Sequence, residues 1–66
     1  MKPVVHYIND AEFGFVGDDE VAEVFALDHP RFGCQRVFTS VVIKKEEDGT
    51  FETLNTIYKP VKQEGN

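Results

Sequence analysis

The sequence predicts a small all-β domain, folded as a compact SH3-like barrel of about five strands. Three observations predict it. Residues 37–58, VFTSVVIKKEEDGTFETLNTIY, set two β-branched and aromatic runs on either side of Glu47-Asp48-Gly49, a strong hairpin signal. A lone twisted hairpin cannot bury its apolar face in water, so further strands must cover it. The chain has 66 residues and 41% hydrophobic content, enough for one ordered domain and too little for two.

Val4 to Ile8 is the first expected strand, and Asn9-Asp10 marks a turn after it. Phe13 to Val16 is a second short strand, with Gly14 marking a bulge or bend. Gly17-Asp18-Asp19 is a second turn signal. Residues 20–27, EVAEVFAL, admit two readings. As a helix they would be capped by Asp18 or Asp19, but they stop before His29-Pro30, where the α conformation is disfavoured. As a strand they alternate, with Ala22, Val24 and Ala26 on one side and Val21, Glu23, Phe25 and Leu27 on the other. The strand is preferred because a β protein needs it. Asp28 to Gly33 then forms a loop.

The hairpin follows, with strands at 35–45 and 50–59. A three-residue loop, Glu47 to Gly49 with Gly49 left-handed, sets Glu46 against Thr50. It then pairs Lys44 with Glu52, Val42 with Leu54, Ser40 with Thr56 and Phe38 with Tyr58. Each pair is complementary, as cross-strand energetics favour by about 0.2–1 kcal/mol. The register leaves apolar residues on both faces, which calls for a curled barrel or a subunit interface. Pro60 ends the last strand, and the tail at 61–66 is expected to fray. The whole chain, 1–66, reads as one small β domain.

Composition narrows the function. The net charge is −5, which disfavours phosphate-backbone binding and so nucleic acid as a partner. Cys34 is the only cysteine, so no intrachain disulfide forms and no zinc cluster is available. It is expected to be a buried small hydrophobe. No signal peptide and no membrane-length apolar run is visible, which places the chain in the cytoplasm as an expectation. No cofactor motif and no calcium-loop spacing is present.

Two groups of residues carry possible chemistry. Asp28-His29-Pro30-Arg31-Phe32-Gly33 mixes reactive and turn-forming types. The plainer reading is a turn set by Pro30 and Gly33, with Phe32 plugging the core and Arg31 paired with an acidic neighbour. The functional reading has Arg31 and Arg36 holding an anion, or His29 acting as acid or base with Asp28 orienting it. The second group is Thr39, Ser40, Thr53, Asn55, Thr56 and Tyr58, which the expected register sets side by side. Strand propensity explains these residues; a polar recognition patch is the alternative. The candidate site is His29, Arg31, Arg36, Thr39, Ser40, Asn55 and Tyr58, with no catalytic and no metal-binding residue assigned.

The runs HPRFG at 29–33, VFTSVV at 37–42 and ETLNTIY at 52–58 together resemble small uncharacterised phage and prophage proteins. In those, an HPRF turn, a TSxV strand and an ETxNTxY-like strand recur in that order. The resemblance covers about residues 21–60. It implies a strand at 20–27 and directs attention to His29, Arg31, Thr39, Ser40 and Tyr58. It also implies an accessory protein that acts on a host protein. The expectation is thus a non-enzymatic binding module that takes a protein partner or self-associates. An oligomeric binder of a nucleotide or other small anion is the first alternative, and a minimal enzyme using His29 is the second.

Overall fold

The computed structural model describes residues 2–61. They form six strands and no helix: β1 Val4–Val16, β2 Asp19–His29, β3 Gly33–Phe38, β4 Val42–Lys45, β5 Phe51–Thr53 and β6 Ile57–Pro60. All six belong to one sheet in the order β3-β2-β1-β6-β5-β4. Every neighbouring pair is antiparallel except β1 and β6, which run parallel. The all-β class is as expected, and the sheet curls into a half-barrel. Its curl brings β4 over β2, where Lys45 Nζ reaches Glu20 Oε2 at 2.8 Å.

The strand count differs from five because one expected turn vanished and two expected strands broke. Asn9-Asp10 does not turn the chain. It sits in an irregularity between Ile8 and Glu12, opposite the Phe25 to Glu23 stretch of β2. Extra residues on one strand of an antiparallel pair bend it and raise its twist. Val4 to Tyr7 pair with β6, and β2 pairs on both sides of the bend, with Tyr7 and Ile8 before it and Glu12 to Val16 after it. Gly14 carries no bulge, since the register runs unbroken from Phe13 to Val16. Gly17, at φ +63°, opens the two-residue loop between Val16 and Asp19. A positive φ at that position matches the twist of a hairpin.

Residues 20–27 are strand, as preferred. Ala22, Val24 and Ala26 are buried, and the residues between them are half-buried. Partners on both sides, β1 and β3, satisfy the backbone of β2, so tertiary pairing overrides the local helix propensity of its alanines.

The hairpin is half as expected. Glu46 N–H donates to Thr50 O at 2.8 Å, Gly49 lies at φ +96°, and Lys44 pairs with Glu52. Beyond that the register departs. Val42 pairs with Thr53, Tyr58 pairs with Phe51, and Phe38 pairs with Glu23 of β2. Hydroxyl side chains cause the departure. Thr53 Oγ1 accepts the N–H groups of Asn55 and Thr56 and donates to Thr56 O, folding the chain back after β5. Thr39 Oγ1 accepts Ala22 N–H at 3.0 Å and donates to Ser40 O, tying the end of β3 to β2. Short hydroxyl side chains compete with the ladder for backbone groups, and here they win.

The core is Val5, Tyr7, Ala22, Val24, Ala26, Val37, Phe51 and Tyr58. Phe51 is its centre. Tyr58 stacks on it at 4.9 Å, Tyr7 tilts against it at 5.7 Å, and Phe13 meets its edge at 5.2 Å. Burying such a ring contributes about 1.5–3 kcal/mol, and ordered aromatic pairs add about 0.5–1.5 kcal/mol. Alanines opposite the rings leave room for the sheet to curl. At the C-terminal end, Val61 N–H donates to Tyr7 O at 2.8 Å, so the first residue of the expected frayed tail is tied to β1. The remainder of that tail, 62–66, lies outside the described residues.

Candidate functional site

A concavity of about 270 Å³ is lined by Pro3, His29, Pro30, Arg31, Phe38, Ser40, Asn55, Thr56 and Tyr58. Five of the seven candidate residues meet there: His29, Arg31, Ser40, Asn55 and Tyr58. The His-Pro turn supplies one wall. The link after β3 and the hydroxyl turn after β5 supply the other.

Each side chain is held for a definable reason. His29 ends β2, and its Nδ1 accepts the N–H groups of Arg31 at 3.1 Å and Phe32 at 3.3 Å. Two donors on Nδ1 require that nitrogen to be unprotonated, so the ring proton sits on Nε2. The imidazole also lies 4.8 Å from the Phe32 ring. Arg31 is exposed, and among the described residues no carboxylate lies within 4 Å of its guanidinium. Asn55 is exposed at the tip of the hydroxyl turn, and Ser40 is half-buried. Tyr58 is 3% exposed and belongs to the core. Burial pushes its hydroxyl above the ordinary tyrosine range, and as a buried member of the lining it forms the floor of the concavity.

The other two candidates lie elsewhere. Arg36 is on the outer side of β3, with its guanidinium 3.4 Å from Glu23. Thr39 is buried and spends its hydroxyl on Ala22 and Ser40. Two further expectations need correction. Asp28 does not orient His29; its carboxylate accepts the backbone N–H and the Nδ1–H of His6, each at 2.7 Å. The His6 backbone N–H, and then its ring, hold the Asp28 carboxyl below the usual range. Neighbouring residues on a strand point to opposite faces, which parts Asp28 from His29. Cys34 is exposed rather than buried, because it sits on the outer face of the edge strand β3. Phe32, expected to plug the core, is exposed as well.

Sequence reasoning missed Pro3 and the outward turn of Phe38, which is 76% exposed. One signal was available. Residues 29–45 hold four of the seven basic residues and none of the twelve acidic ones. The concavity shares that bias, since no carboxylate lines it. Two others do carry carboxylates. One, beside Tyr7 and Phe51, has Asp10, Glu46 and Asp48; one, over Gly14, has Glu12 and Glu23.

Among the described residues, no three His, Cys, Asp or Glu side chains cluster to hold a metal ion. No helix among them is long and apolar enough to cross a membrane. Comparison with known proteins finds no match: no family model, no curated protein and no solved structure. The phage resemblance therefore rests on its own motifs.

Proposed function

We propose that this chain is a non-enzymatic binding module that engages a protein partner through the concavity floored by Tyr58. The observation that carries the reading is the exposed Arg31 beside a hollow without a carboxylate, in a chain of net charge −5. A guanidinium presents a planar fork of donors suited to a carboxylate. Pro3, Pro30 and Phe38 add apolar surface around it. The partner group is thus an acidic side chain flanked by apolar ones.

Size favours a protein over a free small molecule. Ligand pockets run from about 300 to 1,000 Å³ and enclose most of their ligand. This hollow is about 270 Å³ and is formed by one chain. A nucleotide would need walls from a second subunit. Against acid–base chemistry stand the engaged Nδ1 of His29 and the capture of Asp28 by His6. The resemblance to phage proteins adds the setting, an accessory protein acting on a host protein in the cytoplasm.

The test is a pull-down from bacterial lysate with the native chain and an Arg31→Ala variant, followed by calorimetry on the recovered protein. Binding weakened about tenfold or more by Arg31→Ala supports the reading. Recovery of the same proteins by both, with equal affinity, overturns it. A thermal-shift screen against nucleotides separates the small-anion alternative. A true ligand at about 100 times its dissociation constant stabilises by about 2.7 kcal/mol.

A further inference from the structure

The curled sheet is left open at β3, and that edge has a composition unlike the rest of the molecule. β3 ends the strand order, with β2 on one side and no strand on the other among the described residues. Val37 pairs with Val24 and Gln35 with Ala26, and Thr39 N–H donates to Ala22 O. Backbone groups alternate along a strand, so those of Val37 and Gln35 point into β2. Those of Cys34, Arg36 and Phe38 point away from it. All of β3 except Val37 is exposed. Native proteins blunt such an edge with proline, lysine, a bulge or a cover. The other edge, β4, carries Lys44 and Lys45, whereas β3 has neither lysine nor proline, and the irregularity of its pairing lies only at its start, between Ala26 and His29 of β2.

We infer that β3 receives an extended acidic segment of a partner protein as an added strand. The inference rests on the proposed binding role and supplies its mode. Charge complementarity identifies the occupant. β3 and the turn before it, residues 29–38, carry Arg31 and Arg36 and no acidic residue, in a chain with twelve acidic residues against seven basic ones. Arg36 stands on the edge itself, its side chain 62% exposed and its guanidinium 3.4 Å from the half-buried Glu23. The concavity reaches from the turn before β3 to the residues after it, since Arg31, Phe38 and Ser40 all line it. A strand laid on the edge would pass beside Arg31. Main-chain pairing would give affinity, and the hollow would choose one side chain.

A second copy is the weaker occupant. Two β3 strands paired about a two-fold axis would bring one basic edge against another, and like charges across a ladder destabilise it. Nucleic acid fits less well, because it cannot continue an alternating N–H and C=O ladder.

The test uses the full chain and a short blocked peptide of alternating Glu and Val. Its controls are the Lys and Val counterpart and single-stranded oligothymidylate. The expected result is binding of the acidic peptide with slowed amide exchange at Cys34, Arg36 and Phe38. Arg36→Pro removes an outward N–H without touching the β2 ladder. It should bind about tenfold more weakly than Arg36→Ala, which loses only the charge. Equal binding by the two variants, with unprotected edge amides, overturns strand addition. So does preference for the oligonucleotide, or edge protection without peptide in a chain that sediments as a dimer. Loss of binding in Arg31→Ala with unprotected edge amides keeps the concavity and removes the added strand. Protected edge amides with Arg31→Ala unaffected do the reverse. Should Arg36→Pro not fold, the exchange of the native chain decides alone.

Discussion

The hydroxyl of Tyr7 donates to the carbonyl oxygen of Gly49 at 2.5 Å, joining β1 to the turn between β4 and β5 across 42 residues of chain. The contact requires a close approach. A Cβ built on Gly49 would lie 3.2 Å from that hydroxyl and 3.1 Å from Cγ of Pro60, at a φ of +96°. Gly49→Ala is expected to destabilise the fold by roughly 1–3 kcal/mol, from backbone strain and the shifted neighbours. Gly14→Ala meets nothing within 4 Å and should leave stability unchanged or slightly raised. Urea denaturation of the two variants checks this; equal midpoints would refute it.

Thr53 is fully buried, and its Oγ1 accepts two backbone N–H groups of the turn after β5. Thr53→Val keeps the volume and removes the acceptor. The expected cost is about 1–3 kcal/mol, the penalty of leaving the buried N–H of Thr56 unpaired. Thr53→Ser keeps the acceptor and should recover most of the loss. A Thr53→Val variant as stable as the native chain would show that the turn does not depend on the hydroxyl.

Acid should weaken the fold through two carboxyls. Asp28 is held below its ordinary range first by the His6 backbone N–H, and Asp48 first by the Thr50 backbone N–H. Both folded values are depressed, so their stabilisation is present above the unfolded value of about 3.9. It is lost as the pH falls through the lower folded values. Asp28→Asn removes its share and should flatten the acid limb of stability measured against pH. An unchanged limb would refute the assignment.

Alkali should weaken it through the tyrosines. Burial raises Tyr7 first, with Asp48 and Asp10 adding to it, and burial raises Tyr58. In the unfolded chain tyrosines ionise near pH 10, while the folded chain keeps their protons to higher pH. Their contribution is therefore full below about pH 10 and falls as the pH rises through the folded values. Phenolate absorbance should rise together with loss of the far-ultraviolet β signal. Titration of all tyrosines without unfolding would contradict this.

Local chemistry was legible where it acts over a few residues. The alternation of Ala22, Val24 and Ala26 declares a strand with one buried side, because successive side chains on a strand point to opposite faces. Gly17 and Gly49 declare turns, because each adopts a positive φ that other residues avoid. Lys44 and Glu52 follow from the Gly49 turn within one step of the ladder. His29, Arg31, Ser40, Asn55 and Tyr58 were named from sequence and do line one hollow. Ser40, Asn55 and Tyr58 meet for a different reason from the one expected, since the hairpin pairing stops at Val42 and Thr53, and Phe38 pairs with Glu23 and Tyr58 with Phe51 instead of with each other.

The sequence by itself determined the all-β class, the β2 alternation and the two glycine turns, which follow from backbone geometry and side-chain period. Only the tertiary structure decided that β1 runs through Asn9-Asp10 to pair with both β2 and β6. It alone decided that Thr39 and Thr53 leave the ladder for local hydroxyl bonds. Through those choices it turned Phe38 and Cys34 outward on an open edge and Tyr58 inward onto Phe51. The reason is one of range. A turn or an alternation is settled by a few neighbouring dihedrals, whereas a strand's partner is settled by which pairing buries the most apolar surface over the whole chain.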